Sequence, residues 1–202
     1  MAALVASLLL GGCTHSMTVI HPPASAAVAP LRTFPYPAAE YFDPSVTWIG
    51  GTASFVTDAC GAHEFPFTVG SGMADLLKGI DRASFTRVET LASPAQSIHG
   101  VPQTVAFKFA LLRVVLGSDR ISWGTARRTV EATLQIQVEI SAGERQRYQG
   151  TVSGRGYAQD LGSVFAGCGA IADLIPAAIA QSVHAAATDY AAKLADPKLL
   201  RP

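Results

Sequence analysis

Charge is scarce in this chain. Of its 202 residues only 15 are Lys or Arg and 15 are Asp or Glu, so the formal net charge is zero. A polyanionic partner such as nucleic acid needs a basic face, and the composition does not provide one. Long apolar runs are missing too. Although 49% of the residues are hydrophobic, no stretch after the N-terminus approaches the roughly 18 consecutive apolar residues of a membrane-spanning helix. No internal repeat is visible. Cysteine is limited to three positions, Cys13, Cys60 and Cys168. His63 and Glu64 lie near Cys60, but no second cluster exists at zinc-ligand spacing, and His99 and His184 are isolated. Gly70-Ser71-Gly72 lacks the G-x-S-x-G spacing of a nucleophile elbow. Gly167-Cys168-Gly169-Ala170-Ile171-Ala172 matches G-x-G-x-x-A, yet the helix it opens is the last element, with no strand after it to complete a dinucleotide site. Asp58, Glu64 and Asp75 are carboxylates that nothing pairs. The expectation is therefore no metal, no cofactor and no enzymatic activity, with a small hydrolase as the contrasting possibility.

What is present begins at the N-terminus. Met1 to Leu10 is a short apolar run closing on Leu10-Gly11-Gly12-Cys13. An apolar segment of about 7–15 residues followed by small residues reads as a secretory h-region with its cleavage site. Leu-Gly-Gly-Cys resembles the bacterial lipobox. That resemblance implies a signal peptide over residues 1–12 and acylation of Cys13, palmitate included. Each buried methylene contributes about 0.8 kcal/mol, so the two or three chains of such an anchor hold permanently. No Lys or Arg precedes the run, so the natural start is expected a few codons upstream. Thr14, where Asp would favour the inner membrane, implies the periplasmic face of the outer membrane. With Cys13 lipidated, Cys60 and Cys168 remain as an even pair in an oxidising compartment and are expected to form a disulfide. Two buried free thiols are the alternative.

Residues 13–40 hold Pro22, Pro23, Pro30, Pro35 and Pro37 among Ala and Ser, without apolar periodicity. They read as an extended tether in which His15 and His21 are solvated. A single domain is expected over residues 41–197. Val46 to Thr57 reads as a strand with a bulge at Gly50-Gly51. Ser71 is a candidate cap for a helix carrying Met73, Leu76, Leu77 and Ile80 on one face. Phe85 to Leu91 is a further strand. Val105 to Leu116 is nearly continuously apolar and suits the centre of a sheet. Thr129 to Ile140 alternates as a half-buried strand. A turn at Ala142-Gly143-Glu144 leads to an antiparallel return, Arg145 to Tyr157, that Gly154 and Gly156 should weaken. From Ala170 to Leu194 an apolar stripe at 3.6-residue spacing marks a long helix. Pro176 is tolerable only in a first turn, so its regular part should begin near Asp173. The class is α+β, ordered β-α-β-β-β-β-α. It predicts an antiparallel sheet of four to five strands with both helices on one face.

The lipobox, the tether, Met73 to Leu91, Thr129 to Gly156 and Ala170 to Leu194 together resemble the YajG-like envelope lipoproteins and the LPS-assembly lipoprotein of the outer membrane. The Cys60 and Cys168 pair is outside that pattern. The resemblance implies a non-enzymatic binding or assembly module. It would be membrane-bound through its acyl anchor and engage an envelope protein complex, a lipid or a glycan; a carrier of an apolar ligand is a further possibility. Arg127 and Arg128, with Arg145 and Arg147 on the facing strand, are expected to form a modest positive patch for headgroups or glycan phosphates. The alternative is a plain solvated sheet face. Trp48, Phe65, Phe67 and Trp123 fall near loops or strand ends, where an exposed cluster would mark a partner surface. At least two of them are expected in the core.

Overall fold

The structure, a computed structural model, describes residues 13–16, 18–20, 28–55, 63–94, 96, 98–143, 145–163, 166 and 168–196. Its strands are β1 (Cys13–Thr14), β2 (Thr18–Val19), β3 (Ala38–Phe42), β4 (Ile49–Phe55), β5 (His63–Gly70), β6 (Val88–Thr90), β7 (Gln103–Arg120), β8 (Thr125–Ala142) and β9 (Arg145–Ser163). The helices are α1 (Pro44–Thr47), α2 (Gly72–Ser84) and α3 (Leu174–Leu194), with a 3-10 turn at Cys168–Ile171 before α3. The α+β class and the long closing helix are as expected. The sheet, however, is mixed rather than antiparallel. The meander β7-β8-β9 and the β4-β5 hairpin are antiparallel. In contrast, β3 runs parallel between β6 and β7, β4 runs parallel to β7, and β1 and β2 run parallel to β5. β7 is long enough to take β3 along residues 103–107 and β4 at 115–116 on one edge, with β8 filling the other. It is central, which explains its apolar run. A register shift between Phe109 and Leu111 also exchanges its inward and outward positions midway.

β8 keeps strict alternation, turning Val130, Ala132, Leu134, Ile136, Val138 and Ile140 inward, all essentially buried. α3 lies on this inward face with Ile175, Ile179, Val183, Tyr190 and Leu194 buried. Gly154 and Gly156 serve close packing rather than weakening β9: a Cβ at Gly156 would overlap the Ala178 carbonyl oxygen, and one at Gly154 the Ser182 carbonyl oxygen. α3 also covers the free edge of β9. Asp189 accepts from the Ser153 amide (2.8 Å), Gln181 accepts from the Tyr157 amide (3.1 Å), and Lys193 donates to the Thr151 carbonyl (2.6 Å). These contacts use backbone groups that would otherwise template another strand. Gly169–Leu194 is long and apolar enough by composition to cross a membrane. Its apolar residues are the ones that pack on the sheet.

Several local readings shift. Val46 and Thr47 belong to α1, not to a strand, because Asp43 accepts from the Ser45 amide (2.9 Å) and Pro44 occupies the first turn. β4 then carries the expected irregularity between Ile49 and Gly50. Ser71 stands at the N-cap of α2 but makes no capping bond. Its backbone is already helical, and its hydroxyl donates to Asp75 (2.8 Å). Of Phe85 to Leu91 only Val88–Thr90 is strand, while Phe85 bridges Phe34.

The segment read as a tether is largely built into the domain. Beyond the β1 and β2 pairings, Ile20 is buried and its amide donates to the Thr68 carbonyl (2.8 Å). Phe34 is buried against Phe85, with ring centroids 5.0 Å apart. β3 itself is formed by Ala38 to Phe42. The described part of the segment is held by apolar anchors at Ile20, Phe34 and Phe42, spaced too irregularly to show in composition.

Candidate functional site

The most unusual chemistry is a cluster of acids inside the core. α2 buries Met73, Leu77 and Ile80, and Asp81 falls on the same face, four residues after Leu77. Its carboxylate meets the Tyr190 hydroxyl of α3, which donates to Asp81 Oδ1 at 2.5 Å. Glu40 of β3 comes from the other side and accepts from the Thr90 hydroxyl of β6 at 2.9 Å. Glu40 and Asp81 are each 1% exposed. Loss of hydration raises the Asp81 carboxyl well above its ordinary range. Hydrogen bonding from Tyr190 opposes this, and the neighbouring Glu40 adds to it. Burial likewise raises Glu40, against hydrogen bonding from Thr90 and the fields of Lys78 and Arg82. Tyr190 is pushed well above the usual phenol range by burial and by the charge of Asp81. Glu40 Oε2 and Asp81 Oδ2 are buried without a hydrogen-bond partner, and the charge of Glu40 adds to the rise of the Asp81 carboxyl. Two like charges placed together without water disfavour double ionisation, so burial and mutual repulsion both favour the protonated form of Asp81. The arrangement ties α2, α3 and β3 together. Both carboxyls are sealed from solvent, so no substrate reaches them.

The second cluster is at the N-terminal edge. Cys13 pairs with His63 and Thr14 with Glu64 in the parallel ladder of β1 and β5. The His15 amide donates to the Glu64 carbonyl (3.0 Å). Far from being solvated, the His15 ring stacks on Phe65 (4.2 Å between centroids) and its Nε2 is 2.9 Å from His63 Nδ1. Among the described residues no group of three or more His, Cys, Asp or Glu could hold a metal. Cys60 lies outside the described residues, so its expected pairing with Cys168 does too.

The four arginines do not form one patch. Arg127 faces Leu161 across β8 and β9, whereas Arg145 faces Ala142 at the turn. Fifteen residues of strand separate them, on the order of 50 Å. Adjacent strand residues also point to opposite faces. Arg127 is exposed, while Arg128 is 8% exposed and turned inward, making a two-pronged bond to Asp160 (2.9 Å each) across Gly162. Arg145 and Arg147 are exposed. Phe65 and Phe67 are in the core, as expected for two of the four aromatics, and Trp48 and Trp123 are exposed. A surface depression of about 330 Å³ is lined by Tyr41, Asp43, Lys108, Glu139 and Gln149 among others. It opens beside the outward-facing residues of β7 and β8, away from α3. Hydrogen bonds from the Ser45 hydroxyl and amide hold Asp43 below the ordinary carboxylate range, so it is a settled anion.

No protein-family model matches the sequence, and no curated protein matches it. Two solved structures resemble its shape. One is a DUF330 protein of Xanthomonas campestris, at 10% identity and TM-score 0.46, spanning 90% of this chain and 92% of the other. The second is described as a neuraminyllactose-binding hemagglutinin homolog of Helicobacter pylori, at 7% identity and TM-score 0.45, spanning 90% of this chain and 94% of the other. At that level of likeness neither says what this chain does.

Proposed function

We propose that this chain is a bacterial lipoprotein held by acyl groups on Cys13 at the periplasmic face of the outer membrane, and that its α+β domain is a non-enzymatic binding or assembly module. The observation that carries the reading is the apolar run ending in Leu10-Gly11-Gly12-Cys13. The fold is compatible in a specific way. A mature chain beginning at Cys13 begins at the first residue of the sheet, so the domain is presented at the bilayer without a spacer. The pattern shared with YajG-like and LPS-assembly lipoproteins points the same way. A disulfide between Cys60 and Cys168 belongs to this proposal. The elements that flank the two cysteines meet, since Gly169 lies against His15, which bonds to His63 at the start of β5.

The contrasting readings have less behind them. A hydrolase needs an acid that substrate reaches, and the interacting pair described above is buried. A carrier needs an enclosed apolar pocket of more than about 300 Å³; the depression is on the outer face, with Asp43, Lys108 and Glu139 in its lining. The native acylated protein, crosslinked in its own envelope, should return the same few envelope components in repeated experiments. Random capture of abundant proteins, together with substrate turnover by the purified protein, would replace this reading with an enzymatic one.

A further inference from the structure

At one end of the molecule β7, β8 and β9 run past the other described strands of the sheet. β4 ends at Phe55, in register with Leu116, and β5 begins at His63 beside it. Beyond that level β7 continues from Gly117 to Arg120, roughly 13 Å of strand. The chain then turns through Ile121, Ser122, Trp123 and Gly124 and returns along β8, with the end of β9 alongside. Apolar side chains crown this three-stranded finger: Ile121 is 50% exposed, Trp123 80% and Leu161 68%. The turn is braced. The Arg120 guanidinium donates to the carbonyls of Ser122 and Trp123 (3.2 Å each), and the Ile121 amide donates to Thr125 (2.9 Å). Arg127 stands directly across from Leu161 and from Asp119. The finger holds three arginines (120, 127 and 128) against two aspartates (119 and 160).

Cys13 is at the same end. β1 is parallel to β5 and starts in register with its first residue, His63, so Cys13 lies at the end of the sheet from which the finger extends. From β1 through β5 and β4 to β7 is three strand spacings, about 14 Å. We infer that the β7-β8 turn is a second membrane contact, seating Trp123 and Ile121 at the lipid headgroup boundary beside the acylated Cys13. The inference rests on the lipid-anchor reading and adds to it a fixed orientation of the domain. The chemistry suits that boundary, where Trp sits with its ring half in hydrocarbon and the exposed Arg127 reaches lipid phosphates. The partner is a phospholipid bilayer.

The other tryptophan supplies an internal control. Trp48 is 70% exposed but precedes β4, at its far end. It lies more than about 30 Å from the turn along the strands, beyond the reach of the same leaflet. The full-length acylated protein, as Trp48→Phe and Trp123→Phe variants, would be placed in phosphatidylethanolamine/phosphatidylglycerol vesicles containing lipids brominated on their acyl chains. Trp123 in the first variant should shift to the blue and lose most of its emission, and Trp48 in the second should change in neither respect. Unquenched Trp123 in protein that floats with the vesicles overturns the second contact and leaves the anchor standing. Equal quenching of both tryptophans overturns the orientation. Protein that neither carries acyl groups nor floats overturns the anchor and the contact together.

Discussion

Gly156→Val should cost at least about 3 kcal/mol, a drop in melting temperature of about 6–12 °C for a domain of this size. The Cβ position at Gly156 is occupied by the backbone carbonyl of Ala178, and at Gly154 by that of Ser182. Backbone atoms of a packed helix cannot step aside as a flexible side chain can. α3 must therefore lift from β9, which also withdraws Asp189, Gln181 and Lys193 from the strand edge they cover. Gly154→Ala with Gly156→Ala should have a comparable effect. Gly79→Ala is the control. Gly79 lies within α2 with nothing near its missing Cβ, so alanine there should raise stability by about 0.5–1 kcal/mol. Thermal unfolding by circular dichroism reads all three. Near-normal melting of Gly156→Val would mean that α3 does not lie on β9 as described.

The buried acids should make the domain less stable as pH rises above the ordinary carboxyl range. Folding raises the Asp81 and Glu40 carboxyls, so the folded state binds more protons than the unfolded one between their unfolded and folded pKa values. Their contribution is complete below about pH 4 and is lost as pH climbs toward the folded values, at no more than about 1.4 kcal/mol per pH unit for each group. Asp43 acts in the opposite sense. Its carboxyl is lowered, so its contribution is present above its ordinary value and disappears only as pH falls below it. The two windows barely overlap. Urea unfolding between pH 5 and pH 8 should therefore show falling stability for the parent and a flatter profile for Asp81→Asn, which keeps the shape without the titration. Tyr190→Phe removes the donor to Asp81 and should cost about 1–3 kcal/mol. A parent profile that rises over this range, or an Asp81→Asn slope equal to the parent's, would rule out the raised Asp81 carboxyl.

Parts of this architecture are legible without coordinates. The period-two pattern of Thr129 to Ile140 and the 3.6-residue stripe ending at Leu194 are long, and each is satisfied by one flat neighbour, so local spacing is enough to find them. β3 is different. Ala38-Ala39-Glu40-Tyr41-Phe42 has no alternation because its inner position is shared by small residues, and its partners begin 50 residues later at Val88 and 65 later at Gln103. Nothing local announces a parallel strand of that kind, and so the sheet was expected to be antiparallel. The acid cluster joins residues 40, 81 and 190, separations that carry no motif. One signal did exist: Asp81 sits on the apolar stripe of α2, where a charge is costly unless it has a partner. Strand parity likewise separates Arg127 from Arg128 from the outset, since only one of two neighbours can face water.

The anchor is tested most directly by metabolic labelling. Cells expressing the full-length protein or its Cys13→Ser variant would be grown with labelled palmitate and fractionated. The parent should carry label and sediment with membranes, and the variant should carry none and appear in the soluble fraction. A serine variant that is labelled and sedimented like the parent would show that its membrane attachment does not run through Cys13.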